Sequence, residues 1–271
     1  MDESTRLQVL SDIEKYERLG EFDRHVDPVD DSMSLPVDEK FPYIPRGFTR
    51  LKYFFERFIV RSLSKKINRE MLHTEIIGTE NLEGVRSAIV TCNHVNKFDC
   101  LAVKAAAKGH RVYIIGAKFN NMKGFLGEMM RAGGLLPLSD SFAAMKNLNR
   151  AVAHYLKKGS YVAVYPEQAM WWNYEKPRPF KDGAFTYAVS NNVPIVPMFI
   201  TFRHTGEFDE NGVEIKHFTI HVMKPIYPKA DLSRRENVAY LREENYRMCC
   251  EKYEEFYGKK LEYLTDVAKE G

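Results

Sequence analysis

A histidine and an aspartate five residues apart, His94 and Asp99, sit in the run Asn-His-Val-Asn-Lys-Phe-Asp, directly after the apolar stretch Ser-Ala-Ile-Val-Thr. On a single helix that spacing splays two side chains by about 140°, so they would not meet. A turn ahead of the helix instead lets Asp99, in the first helical turn, fold back on the imidazole. A carboxylate on one ring nitrogen fixes the tautomer and raises the basicity of the other. The pair then makes His94 a general base lacking a protein nucleophile. The same spacing recurs at His25 with Asp30 and at His204 with Asp209, so spacing alone carries little weight. Context separates the three. His25 lies in an acidic stretch and His204 leads into a hairpin turn at Asn211-Gly212, whereas His94 stands where a strand ends and a helix begins, the place at which α/β proteins bind ligands.

The elements that must position this pair are legible from residue 73 onward, where β-rich runs alternate with helical ones. The pattern predicts an α/β fold with a mixed, largely parallel sheet flanked by helices. Strands are expected at His73–Ile77, Ser87–Thr91, Arg111–Gly116, Leu135–Leu138, Tyr161–Tyr165, Ile195–Thr201 and Glu214–Met223. Helices are expected at Phe98–Ala107, Met122–Ala132, Ser141–Lys157 and Asp182–Val189, with a long one from Arg234 to about Lys269 that Gly258 interrupts.

Ahead of this region, Phe48, Leu51, Phe55, Phe58, Ile59 and Leu63 recur at helical spacing, with Arg46, Arg50, Arg57 and Arg61 on the opposite face. That describes a basic amphipathic helix, suited either to an anionic membrane or to packing on the domain with a solvated basic face. The formal charge of +3 conceals an asymmetry: residues 1–40 carry 5 Lys/Arg against 12 Asp/Glu, leaving 35 against 25 in the rest. Residues 1–40 therefore read as an acidic tail or clasp, with a short helix from Ser11 to Leu19 and a poorly structured run from His25 to Lys40.

Composition is that of a globular chain, with 44% hydrophobic and 28% charged residues. Cys92, Cys100, Cys249 and Cys250 show neither zinc spacing nor a disulfide framework, which suits reduced cytosolic thiols. Residues 1–20 are too charged for a signal peptide, and the longest uncharged run, Gly183 to Phe202, is broken by Pro194 and Pro197. Phosphate-loop, dinucleotide and nucleophile-elbow motifs are missing from the sequence. His217 and His221 share a strand face but have no further ligands nearby, so a surface position outweighs a metal site.

Four blocks in order resemble the glycerolipid acyltransferases typified by lysophosphatidate acyltransferase, from about Thr74 to Pro228. Asn93 to Asp99 is similar to the catalytic Asn-His-x-Ser-x-x-Asp block, with Asn96 in place of serine. Gly116-Ala-Lys-Phe119, with Gly124-Phe-Leu-Gly127 and Arg131-Ala-Gly-Gly134, resembles the stretch carrying a lysine ahead of the second block. Tyr165-Pro-Glu167 and Phe180-Lys-Asp-Gly-Ala-Phe185 resemble parts of the third, and Val193-Pro-Ile-Val-Pro197 the fourth. The resemblance implies transfer of a fatty acyl group from a thioester of coenzyme A or acyl carrier protein to the hydroxyl of a lysophospholipid such as 1-acyl-glycerol-3-phosphate. With the charge and periodicity of the preceding residues, the expected division is an acidic tail at 1–40, a membrane-associating basic amphipathic helix at 41–70 and an acyltransferase domain at 71–271.

The residues support that chemistry on their own terms. An acceptor alcohol must lose a proton as it attacks, which His94 can take, while a leaving thiolate of pKa about 8.5 hardly needs a general acid. Lys118, beyond a strand end, is expected either to stabilise the oxyanion beside backbone N–H groups or to be a solvated surface lysine. Asn93, Asn96 and Glu167 are expected in the substrate site, with Glu167 ordering either the acceptor or the loop, and a buried structural carboxylate as the competing reading of Glu167. Tyr165 supports the same shell or belongs to the core, and Trp171 and Trp172 suit a membrane interface, an acyl channel or the core.

Two departures bear on the acceptor. Asp140 stands where the family's second block has arginine, and Gln168, Ala169 and Met170 replace Gly-Thr-Arg in the third. Either Arg178, Lys181 or Arg203 grips an acceptor phosphate instead, or the acceptor is no bare phosphomonoester. The chain is thus expected to act at the cytoplasmic face of an anionic membrane without a cofactor, a metal or a nucleic-acid partner. A lipid-binding relative without turnover and a thioesterase are the rival readings.

Overall fold

The computed structural model describes residues 3–27, 31–210 and 212–267. Helix α1 (Glu3–Leu19) and helix α2 (Gly47–Glu70) precede an alternating region. It comprises β1 (Glu75–Ile77), β2 (Ala88–Thr91), α3 (Asp99–Ala106), β3 (Val112–Gly116), α4 (Gly124–Gly133), β4 (Leu135–Pro137), α5 (Phe142–Lys157), β5 (Tyr161–Val164) and α6 (Gly183–Asn191). The long hairpin β6 (Ile195–Phe208) and β7 (Glu214–Val222) follows, then α7 (Arg234–Tyr257) and α8 (Leu264–Val267).

The strands form one seven-stranded sheet in the order β1-β7-β6-β2-β5-β3-β4. From β6 to β4 all neighbours pair in parallel; β6 and β7 pair antiparallel, and β1 joins β7 in parallel. β2 is buried at all four positions, as a central strand covered on both faces should be. Its side chains alternate: Ala88 and Val90 enter a core with Ala102, Val103 and Ala106 of α3, whereas Ile89 enters a second core with Leu148 and Val152 of α5, Phe185 of α6 and Leu241 of α7. Strands β2 and β5 lie side by side, yet the chain leaves them for helices on opposite faces. Such a divergence opens a crevice at the carboxyl edge of the sheet.

The expected elements are present, with informative differences in length. β6 runs seven residues past Thr201, its outer half exposed as a hairpin arm. α7 ends at Tyr257 because Gly258 adopts a left-handed conformation (φ 65°) that caps it, and the expected continuation gives way to α8; Lys269 lies outside the described residues. α1 begins earlier than Ser11, and Val9 and Ile13 bury against Trp171 and Tyr174. The run 31–40 lacks regular structure but is tied to the body, with Leu35 N–H donating to Asn121 O and Lys123 N–H to Met33 O.

Helix α2 buries only Ser64, Ile67 and Asn68, near its end. Phe48 (81% exposed), Leu51, Phe54, Phe55, Phe58, Ile59 and Leu63 all face outward. α4 lies alongside, with Lys52 on Glu128 (2.7 Å) and Val60 beside Gly133, and adds exposed Phe125 and Leu126. Of the four arginines expected opposite the apolar stripe, Arg46, Arg50 and Arg61 are exposed. Arg57 turns toward the body, where burial and Arg111 push its pKa down. Among the described residues no helix is long and apolar enough to cross a membrane.

Candidate active site

Beyond Thr91, the side chain of Asn93 continues the β2–β6 ladder in place of backbone: it donates to Ile200 O (2.9 Å) and accepts from Ile200 N–H (2.8 Å). Asn93 is fully buried, so it fixes the chain's exit from the sheet rather than contacting substrate, as had been expected of it. Asn96 accepts from Phe98 N–H (3.0 Å), tightening the turn into α3. Asp99, 1% exposed, then reaches back so that one oxygen, Oδ2, accepts from Val95 N–H (3.1 Å), Asn96 N–H (3.3 Å) and His94 Nδ1 (2.7 Å). A carboxylate acceptor makes Nδ1 the protonated ring nitrogen and leaves Nε2 with its lone pair. Nε2 has no hydrogen-bond partner among the described residues, and the side chain is 24% exposed. The ring stacks on Tyr165 at 4.2 Å, which holds its plane. The Tyr165 hydroxyl is buried and unbonded, and burial and Asp99 push its pKa well up.

Arg178 was a candidate for gripping the acceptor and Glu167 for ordering the acceptor or the loop. Both are 1% exposed and bonded within the protein, so Glu167 orders the loop as a buried structural carboxylate and Arg178 does not reach an acceptor. Glu167 accepts from His94 N–H (3.0 Å), Arg178 N–H (2.9 Å) and the Arg178 guanidinium (2.7 Å). Arg178 also donates to Phe22 O (3.0 Å), His94 O (3.3 Å) and Ala169 O, and its guanidinium lies 4.7 Å over the Trp171 ring. Together they clamp the backbone of His94 between the β5 loop and the N-terminal segment. Trp171 is fully buried beneath that segment, donating from Nε1 to Arg24 O (2.8 Å), and Arg6 lies over Trp172.

Lys118 follows β3, two strands and therefore about 10 Å from β2. It is exposed and paired with Asp140, which raises its pKa. The pair borders a pocket of about 330 Å³ shared with Asp31, Ser34, Ser139 and Ser141. Neither remaining candidate phosphate ligand is unpartnered: Lys181 pairs with Asp23 (2.8 Å), and Arg203 holds Glu75 (3.1 Å) and Phe218 O (2.7 Å) on the hairpin. Of the other two His-x4-Asp pairs, the structure separates the one at His204 and Asp209. His204 pairs with Glu214 (2.7 Å) and Glu175 (3.0 Å) while Asp209 takes Arg6, and Asp30 lies outside the described residues.

One further carboxylate belongs to this neighbourhood and carries no sequence motif. Asp27 follows Val26, which is buried with Ala169 and Trp171, and both its oxygens are buried without a hydrogen-bond partner among the described residues. His94 and Lys97 are near enough to act on its charge.

With the geometry in place, comparison with known proteins is specific. The Acyltransferase family model matches residues 73–201, a span holding the His94 turn, Lys118, Glu167 and Arg178. A chloroplastic 1-acyl-sn-glycerol-3-phosphate acyltransferase of Brassica napus is 30% identical over 198 residues, covering 68% of this chain and 54% of the relative. The chain thus spans about half the length of that curated relative. The crystal structure of the 1-acyl-sn-glycerophosphate (LPA) acyltransferase PlsC from Thermotoga maritima shares the fold, with a TM-score of 0.56 at 20% identity over 80% of this chain and 90% of that one. The resemblance to glycerolipid acyltransferases read from the four blocks therefore holds in family match, curated relative and fold.

Proposed function

We propose that the protein transfers a fatty acyl group from a thioester of coenzyme A or acyl carrier protein to a lipid hydroxyl at a membrane surface. The observation that carries this reading is the unpartnered Nε2 of the His94 imidazole, whose Nδ1 is held by Asp99, within the segment that matches the acyltransferases. The acceptor hydroxyl gives its proton to Nε2 as its oxygen attacks the thioester carbonyl. Asp99 stabilises the imidazolium formed, and collapse of the tetrahedral intermediate expels a thiolate that takes the proton back. Lys118, turned from Asp140, is the proposed oxyanion donor.

The exposed apolar stripe of α2, with Phe125 and Leu126 of α4, supports docking on a bilayer, and Arg46, Arg50 and Arg61 suit an anionic, cytoplasmic-face surface. The acceptor is a lysophospholipid or related lipid. The missing block arginines, with Arg178, Lys181 and Arg203 otherwise engaged, favour a head group other than a phosphomonoester. The test is thioester consumption with a lysolipid acceptor. His94→Ala abolishes transfer in a folded protein, and Asp99→Asn lowers it by orders of magnitude; full activity in His94→Ala ends the assignment.

A further inference from the structure

The strap from Phe22 to Asp27 crosses the carboxyl edge of the sheet. Phe22 O accepts from Arg178, Arg24 O from Trp171 Nε1, and the His25 ring lies against Phe119 beyond β3. Its course is set by contacts on both sides of His94, so Asp27 is held at the site by structure and not by chance contact. Ordinary buried carboxylates are satisfied, as Asp99 and Glu167 are here with three donors each. Asp27 has none. Burial pushes its pKa up, with His94, His25 and Lys97 acting the other way. Asp27 is half-buried as a residue, but its two carboxylate oxygens are shielded and given no donor among the described residues, which is destabilising unless a ligand supplies one.

We propose that Asp27 is a specificity-determining residue that accepts a hydrogen bond from a second hydroxyl of the acceptor, so that the acceptor is a neutral, polyol-type lipid with a hydroxyl close to the one acylated. This rests on the acyl-transfer reading and narrows it. A hydroxyl bound to Asp27 lies beside the one His94 deprotonates, and a phosphate dianion in that place meets a like charge. The same carboxylate therefore selects the diol and disfavours the phosphomonoester, which agrees with the loss of the family's two arginines.

The closing experiment compares two acceptors that differ by one hydroxyl. These are 1-monoacylglycerol and the 1-acyl ester of 1,2-propanediol, each in mixed micelles with one labelled acyl thioester, alongside lysophosphatidic acid. The wild type should prefer the diol by about tenfold or more in kcat/KM, the usual worth of a hydrogen bond to a charged group. Asp27→Asn should bring the two acceptors level, mainly through KM, and raise lysophosphatidic acid relative to both, while Asp27→Glu restores part of the preference. Without ligand, Asp27→Asn should melt about 2–4 °C higher, since it removes an unsatisfied charge. Equal ratios in wild type and Asp27→Asn overturn the proposal. If no acceptor is acylated, the acyl-transfer reading fails by itself. Thermal shifts then decide the inference: stabilisation by the monoacylglycerol and not the propanediol ester, lost in Asp27→Asn, upholds it, and its absence overturns it.

Discussion

At the scale of single residues, the site divides into groups that face substrate and groups that hold those groups still. Arg178 was a candidate for gripping a phosphate, and its burial over Trp171 in contact with Glu167 makes it a fixture of the fold. Removing its guanidinium leaves Glu167 charged, buried and without its ion-pair partner, holding only the backbone N–H groups of His94 and residue 178, a loss on the order of 3–5 kcal/mol. Arg178→Ala should therefore lower the melting temperature and reduce transfer to every acceptor by the same factor. A phosphate-binding arginine would instead lose only phosphorylated acceptors, and an acceptor panel on the folded variant tells these apart.

The same residues show what the sequence made legible. His94 and Asp99 are five positions apart, and a local turn closes them, so a motif and its place after a strand sufficed. Glu167 and Arg178 meet His94 across 73 and 84 residues, and the composition of their loop does not reveal that they are buried. Asp27 has no motif at all. Contacts far apart in sequence, such as those of Arg24 with Trp171 and Phe22 with Arg178, 147 and 156 residues apart, bring it to the site.

At the scale of elements, strand boundaries followed from apolar runs bounded by glycine and proline, because a central parallel strand must be apolar on both faces. The amphipathic period of α2 was equally plain, whereas what covers its apolar face depends on packing that periodicity does not encode. The folded chain leaves that face open, an extended apolar surface of the kind that marks an interaction site. Binding to vesicles should need both the apolar stripe and the outward arginines. Phe55→Ser with Phe58→Ser should abolish co-sedimentation. Reversing Arg50 and Arg61 to Glu should weaken it on anionic vesicles alone, with added salt doing the same to the wild type. Arg57 faces Arg111 and is a poor choice for charge reversal. Equal binding to neutral and anionic vesicles with no effect of salt would refute the role of the arginines, and co-sedimentation unchanged by Phe55→Ser with Phe58→Ser would assign α2 a purely structural role.

At the scale of the whole molecule, the described residues of the acidic N-terminal segment are laid along a basic body and stitched to it by Glu17 with Lys176, Asp23 with Lys181 and Arg6 with Asp209. Exposed pairs such as Asp23–Lys181 contribute little, so the attachment rests mainly on Val9, Ile13 and Val26 around Trp171. The pH dependence of stability has a different source. His221, on β7, is buried against Phe256 and bonded through Nε2 to Thr201 Oγ1 (2.9 Å); burial lowers its pKa from 6.5 to about 4. The unfolded chain binds a proton at this residue below pH 6.5, but the native protein does so only near pH 4. The unfolded state therefore holds more protons across that window, and stability is full above it and falls as pH drops through it. At about 1.4 kcal/mol per unit of pKa difference, the loss is on the order of 2 kcal/mol between pH 6.5 and pH 5. Urea unfolding at pH 7 and pH 5 should show this decline, and His221→Gln, which keeps an amide for Thr201 but cannot titrate, should flatten it. An unchanged slope in His221→Gln would move the acid sensitivity to the carboxylates, whose native pairings are lost as they take up protons.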